Sequence, residues 1–123
     1  MFGAQLLPAF RRVQSVLALL GDLNSSISAA GTNQATATLL TTVNNIITTV
    51  TFGQGVRLPL TPTVSAGDKI WVANNGANDL WVYPPVGGIL SGTTLNMPAV
   101  LPTGKGAVFF CIDGTNYSAI LGH

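Results

Sequence analysis

The sequence predicts a mainly β fold, a small antiparallel β-sandwich of jelly-roll-like type that follows an N-terminal α-helical arm. Beyond residue 53, clusters of Gly, Asn, Asp and Pro recur about every eight to twelve residues, a spacing typical of short antiparallel strands. Ahead of residue 21, apolar residues recur at alternating spacings of four and three, which is typical of a helix. We therefore divide the chain into an arm (1–30), a connector with the first strand (31–52) and a β domain (53–123).

The arm carries an apolar seam that begins with Leu6, Phe10, Val13, Leu17 and Leu20 and continues in the same spacing through Asn24 and Ile27. Pro8 suits a first helical turn, and the Gly-Asp pair at 21–22 marks a helix end. These signals predict a helix over 8–20, continuing less firmly to 29. Because a helix of this length is marginal in water by itself, its seam needs a partner, either its own domain or copies of itself in a parallel bundle.

The connector segment is rich in Ser, Thr, Asn and Ala. "GTNQATA" at 31–37 predicts a connection, and the β-branched residues of 46–52 predict an extended strand. The stretch between them is ambiguous, because its aliphatic residues repeat at helical spacing while its threonines favour a strand.

The β domain contains candidate strands at 56–59, 69–74, 80–83, 107–113 and 117–121. "KIWVAN" and "LWVYPP" are predicted to form a hairpin across Asn75 and Gly76, where a positive φ is favourable. One face of this hairpin would carry Ile70, Val72, Leu80 and Val82, and the other Trp71, Ala73, Trp81 and Tyr83. No long-period repeat is visible, so the sequence disfavours a solenoid.

Composition excludes several classes of function. Charged residues make up 7% of the chain, and a net charge of +1 spread over scattered Lys and Arg gives no electrostatic footprint for nucleic acid. The longest apolar run is the five residues of "VLALL", far short of the roughly 18 that a membrane span needs, and the first residues do not have the pattern of a signal peptide. We therefore expect no nucleic-acid partner, no membrane, and residence in a cytoplasm or inside something assembled there.

No catalytic constellation stands out. The four aspartates, Asp22, Asp68, Asp79 and Asp113, each occupy a position typical of a turn or helix cap, and His123 is the last residue. Lys105 in "PTGKG" lacks the spacing of a phosphate loop and reads as a hairpin turn. Cys111, the single cysteine, lies in the apolar run "AVFFCI" and is expected to be buried. We expect no metal, no cofactor and no enzyme activity.

The segment from residue 31 to 121 resembles a family of small bacteriophage virion proteins. The resemblance rests on the order of "GTNQATATLL", "NNIITTV", "GQGVRLP", "WVANNGANDLWVYPPVGGIL" and "NYSAI". It implies a trimeric β domain in a structural component of the phage particle: a capsid decoration or cement protein, a head fibre, or a short tail attachment. Its place would be the virion, assembled in the bacterial host cytoplasm.

The resemblance also implies partners, namely two further copies of the chain and a virion protein such as the major capsid protein. The arm is the candidate for anchoring or trimer formation, and Arg11 and Arg12 on its polar flank would pair with acidic groups of a capsid protein. Trp71, Trp81 and Tyr83 would pack between sheets or subunits. The alternative is a tail-borne receptor or host-glycan binder, which Trp81 or Tyr83 exposed on an outer rim would indicate.

Overall fold

The computed structural model describes residues 22–60 and 64–122, and these residues form nine β-strands in two sheets. The strands are β1 (Leu23–Ser28), β2 (Thr38–Leu39), β3 (Asn44–Thr49), β4 (Gly55–Arg57), β5 (Lys69–Asn74), β6 (Leu80–Tyr83), β7 (Ala99–Leu101), β8 (Gly106–Cys111) and β9 (Tyr117–Leu121). The five-stranded sheet has the order β1-β3-β5-β8-β9 and the four-stranded sheet the order β2-β4-β6-β7. The predicted mainly β fold is confirmed, and the described residues contain no helix.

The first six strands form a coil that alternates between the two sheets. Strands β1, β3 and β5 pair in parallel in one sheet, and β2, β4 and β6 pair in parallel in the other. The chain thus makes three stacked turns, and the prediction of an antiparallel domain is wrong because both sheets are mixed. The turns differ in length, since residues 40–43 lead from β2 to β3 whereas 58–68 lead from β4 to β5, and this inequality hides the repeat in the sequence.

The last three strands close the coil in antiparallel fashion. Strand β7 pairs with β6 in the four-stranded sheet, while β8 and β9 extend the five-stranded sheet beyond β5. Strands β5, β6 and β9 have the predicted bounds, and β4 and β8 lie within a residue or two of theirs. The two short strands β2 and β7 were not predicted.

The predicted hairpin of β5 and β6 is wrong. Strand β5 lies between β3 and β8, whereas β6 lies between β4 and β7 in the other sheet. Residues 75–79 form a corner between the sheets, and this corner stacks on the one before it: Asn78 Nδ2 donates to the Val50 carbonyl at 2.8 Å. Gly76 has no positive φ; it is needed because a Cβ there would lie 2.6 Å from a Val50 methyl and 2.8 Å from the Val50 nitrogen. The sequence singled out Gly76 correctly, but as a turn residue with a positive φ and not as a site of close packing against Val50.

Residues 23–28, assigned to the helical arm by its seam, form strand β1 instead. Ser and Asn are weak helix formers, and here the backbone pairs with β3 while Ile27 is buried in the core. Tertiary pairing therefore overrides the seam at Asn24 and Ile27. The predicted helix over 8–20, the seam residues Leu6 to Leu20, and Arg11 and Arg12 lie outside the described residues.

A single hydrophobic core lies between the sheets. It includes Ile47, Val72 and Phe109 from the five-stranded sheet and Val56 and Leu101 from the four-stranded sheet. Ile70, Val72, Leu80 and Val82, which were predicted to share one face of a hairpin, are all buried, but they face the core from two different sheets.

The buried Asn74 side chain links the two sheets at the end of β5. Its Nδ2 donates to the carbonyls of Asn78 at 2.9 Å and Leu101 at 2.8 Å, and its Oδ1 accepts from the Gly76 N–H at 3.0 Å. A fully buried amide persists in a core only when its polar atoms are satisfied in this way. Asn74 therefore fixes the corner between β5 and β6 against β7.

Candidate interaction surfaces

The outer face of the five-stranded sheet presents a line of mainly apolar side chains. The strand registers place Leu23, Asn44, Trp71, Val108 and Ile120 in one row that crosses all five strands. The exposed fraction is 52% for Leu23, 48% for Trp71 and 60% for Ile120. Four of the five positions in a row that faces solvent are therefore apolar, the reverse of the polar outer face that a solvated sheet usually shows.

Two neighbouring rows complete this surface into a groove of about 840 Å³, which we call the Trp71 groove. Ile46 and Ala73 lie opposite each other on one side, and Lys69 and Phe110 on the other. The Lys69 Nζ lies 5.8 Å from the centre of the Phe110 ring, within range of a cation–π contact. Lys69 is the one charged residue among the described residues that line the groove. Exposed apolar patches of a few hundred Å² or more are typical of interaction sites, and this groove is therefore a candidate.

The outer face of the four-stranded sheet is more closely packed. Trp81 lies opposite Gly55, and a Cβ on Gly55 would meet the backbone of Trp81 and, at 2.9 Å, the ring of Tyr83. Tyr83 is 8% exposed, and its burial raises the pKa of its hydroxyl. Glycine at position 55 thus lets the two aromatic side chains lie against the sheet, where they serve packing.

Hydrogen bonds hold the connector at 31–37 over the outer face of the four-stranded sheet. Arg57 Nη1 donates to the Gln34 carbonyl at 3.3 Å, and Gln34 Nε2 donates to the Pro84 carbonyl at 2.8 Å and to Asn96 Oδ1 at 3.2 Å. These bonds join the connector to the loop 84–98 that follows β6.

That loop carries a second group of exposed apolar side chains. Its backbone is held by bonds such as Gly88 N–H to the Pro85 carbonyl and Asn96 N–H to the Gly88 carbonyl, both at 2.9 Å. Its exposed apolar side chains are Val86, Ile89, Leu95 and Met97. We call these four residues the loop patch.

The structure separates the three aromatic residues that the sequence grouped together. Trp71 lies on the outer face of the five-stranded sheet, whereas Trp81 and Tyr83 lie on the outer face of the other sheet. They do not form one platform. The sequence also missed Ile46 and Phe110 as surface residues, together with Leu23, Val108 and Ile120. The signal was present in "AVFFCI", where both alternating sets are apolar, as expected for a strand covered on both faces.

Three of the four aspartates that were assigned to turns or helix caps, Asp22, Asp68 and Asp113, accept backbone hydrogen bonds. Asp22 Oδ2 accepts from the Val43 N–H and Asp68 Oδ2 from the Ser65 N–H, both at 2.9 Å. Asp113 accepts from Asn116, and the side-chain hydrogen bond from Asn116 is the largest cause that lowers the pKa of Asp113. Within 22–60 and 64–122, no group of three or more His, Cys, Asp or Glu side chains is placed to hold a metal ion.

The remaining polar residues of interest are structural. Cys111 is buried, as predicted, and its Sγ accepts from the Gly114 N–H at 3.0 Å. The fully buried Tyr117 hydroxyl donates to the Pro59 carbonyl at 2.6 Å, and burial raises the pKa of Tyr117 strongly. The turn around Lys105 is present, but it leads from β7 in one sheet to β8 in the other and is not a hairpin.

No protein-family model, curated protein or solved structure matches this chain. In the part of the chain that the structure describes, no helix has the length and apolar character needed to cross a membrane.

Proposed function

We propose that this chain is a non-enzymatic structural protein of a bacteriophage particle, a homotrimer bound to the capsid surface as a decoration or cement protein or as a head fibre. The observation that carries the proposal is the very low charge of the chain, 7% of its residues, together with exposed apolar side chains outside the Trp71 groove, namely those of the loop patch. Charge depletion at the centre is what distinguishes protein interfaces from other surface. The resemblance of residues 31–121 to small virion proteins supplies the setting.

The construction of the fold supports a role as a rigid building block. The corners between the sheets are joined by side-chain amides such as Asn74 and Asn78, and among the described residues no buried side-chain nitrogen or oxygen lacks a hydrogen-bond partner. A protein that bridges capsid subunits gains affinity from such preorganisation, because little conformational entropy remains to be lost on binding.

The proposal is tested on phage particles and on the purified protein. We expect mass spectrometry to find the chain in purified particles, and particles that lack it to lose infectivity sooner on heating or at low salt while adsorbing to the host normally. Light scattering of the purified protein should give three times the mass of one chain. Absence from the particle, or particles of unchanged robustness, would contradict the proposal; a monomer would contradict the trimer.

The second candidate is a tail-borne module that binds a host receptor or glycan. The expected sign, an exposed Trp81 or Tyr83, is not what the structure shows, since Trp81 is half-buried and Tyr83 buried. The observation in its favour is Trp71, which is 48% exposed and stands between Asn44 and Val108 in the row. Trp71→Ala phage that adsorb poorly but survive heating normally would favour this candidate, whereas the reverse pattern favours the capsid protein.

A further inference from the structure

We propose that the Trp71 groove is covered by the N-terminal segment of the same chain, residues 1–21, whose apolar seam lies along it. This inference concerns how the chain completes its own fold, so it goes beyond the proposed function and does not rest on it. It decides between the two partners that the sequence left open for the seam.

The N-terminal segment joins the five-stranded sheet directly beside the Trp71 groove. Asp22 is fixed at the start of β1, because its carbonyl accepts from the Asn44 N–H at 3.1 Å and its Oδ2 from the Val43 N–H at 2.9 Å. The next residue, Leu23, is the first member of the row that crosses the groove. No linker separates the segment from the groove, and Gly21 is a residue type that suits a helix end and a chain reversal.

The predicted helix and the outer face of the five-stranded sheet are similar in length. A helix over 8–20 would be about 20 Å long at 1.5 Å per residue. Five strands spaced by about 4.8 Å span about 19 Å, and strands of six residues are about 20 Å long. One such helix, about 10–12 Å wide with its side chains, therefore matches the length of the row from Leu23 to Ile120 and covers the middle of the face.

The two sides of the predicted helix differ in chemical character, one being apolar and the other charged. At 100° per residue, the seam from Leu6 to Leu20 occupies one side of the predicted helix, and Arg11 and Arg12 fall on the opposite side. With the seam on the groove, both guanidinium groups project to solvent, away from Lys69. They then remain available to an acidic partner. The tether gives the segment a high effective concentration at its own groove, which favours it over the segment of another copy.

The main test replaces Trp71 in the full chain with the photocrosslinking residue p-benzoylphenylalanine. Isotope-labelled and unlabelled chains are mixed in urea, refolded together and irradiated, and the crosslinked peptides are identified by mass spectrometry. We expect adducts between position 71 and residues 1–21, with both peptides carrying the same isotope. The same photocrosslinker at Val86 of the loop patch is the control and should give no adduct with residues 1–21.

Every other result overturns the inference. Mixed-isotope adducts with 1–21 would show a segment donated by a neighbouring copy, and adducts with another part of a second copy would show a direct interface between copies. Absence of any adduct with 1–21 would leave the groove uncovered by the segment. None of these results depends on whether the chain is a phage protein, so the two proposals fail separately.

A second measurement uses seam variants in a Trp81→Phe background, where Trp71 is the one remaining tryptophan. Leu17→Asp should raise the acrylamide quenching constant of Trp71 about twofold and shift its emission to longer wavelength, because the ring loses its cover. Ser15→Asp, which adds the same charge on the opposite side of the predicted helix, should leave both unchanged. Equal effects of the two variants would contradict the inference.

Discussion

Removal of the Tyr117 hydroxyl should make the stability of this protein less dependent on alkaline pH. The hydroxyl is fully buried and donates to the Pro59 carbonyl at 2.6 Å. Tyr117→Phe keeps the ring but leaves that carbonyl without its donor. We expect the variant to lose about 1–3 kcal/mol of unfolding free energy at pH 8, the usual cost of an unsatisfied buried polar group.

The pH dependence follows from the raised pKa of Tyr117, which is due first to burial. In the unfolded chain the phenol ionises near its ordinary pKa of 10.0, whereas in the folded protein it keeps its proton to a higher pH. Its contribution to stability is therefore complete below pH 10 and is lost as the pH rises above it. The loss approaches about 1.4 kcal/mol per pH unit, or about 2.7 kcal/mol by pH 12.

The assay is urea unfolding followed by circular dichroism at pH 8, 10, 11 and 12. The wild type should start more stable than Tyr117→Phe and lose that advantage about one to two units above pH 10, where the two stability curves meet. Tyr83→Phe is the comparison, because burial also raises the pKa of Tyr83 but Tyr83 does not belong to the main hydrophobic core cluster, whereas Tyr117 does. A difference between wild type and Tyr117→Phe that stays constant from pH 8 to pH 12 would refute the reasoning.

Three further variants test the corners and one turn. Asn74→Leu should cost about 3 kcal/mol of unfolding free energy in urea, because the three hydrogen bonds of the buried Asn74 amide are lost at about 1 kcal/mol each; an unchanged midpoint would show that the amide does not link the sheets. Gly76→Ala should destabilise the fold because its Cβ would overlap Val50, whereas Gly53→Ala, with open space around it, should suffer only from its positive φ. Asp113→Ala should raise hydrogen exchange in residues 113–116 at neutral pH. The difference from wild type should vanish as the pH falls below the ordinary Asp value of 3.8 and through the lowered pKa of Asp113, and a difference that persists there would contradict the assignment.

Strands were predictable where a run of β-branched and aromatic residues lies between two turn signals. Strand β5 shows this, because "KIWVAN" lies between "SAGD" and "NGAND". The seam failed at Ile27, because a spacing of four and three does not exclude a strand when the backbone finds a neighbour such as β3 to pair with. The short strand β2 had no pattern to detect, since two residues are too few to show a period.

The Trp71 groove was only half predictable. Apolar residues on both alternating sets of β5 and β8 indicated sheets covered on both faces, and this much the residues show by themselves. The sequence around Trp71 and Trp81 did not reveal that the two side chains lie on opposite sides of the molecule. That depends on which sheet each strand enters, and the hairpin signal at Asn75 and Gly76 pointed to the wrong pairing.

The sequence by itself determined that the chain is mainly β and where most strands run, because these properties follow from β-propensity and turn chemistry. Only the tertiary structure decided that the strands form a parallel coil, that Gly76 serves close approach to Val50, and that an apolar row crosses five strands. Those features arise between residues far apart in the chain, where pairing depends on the free energy of the whole assembled core and leaves no local mark.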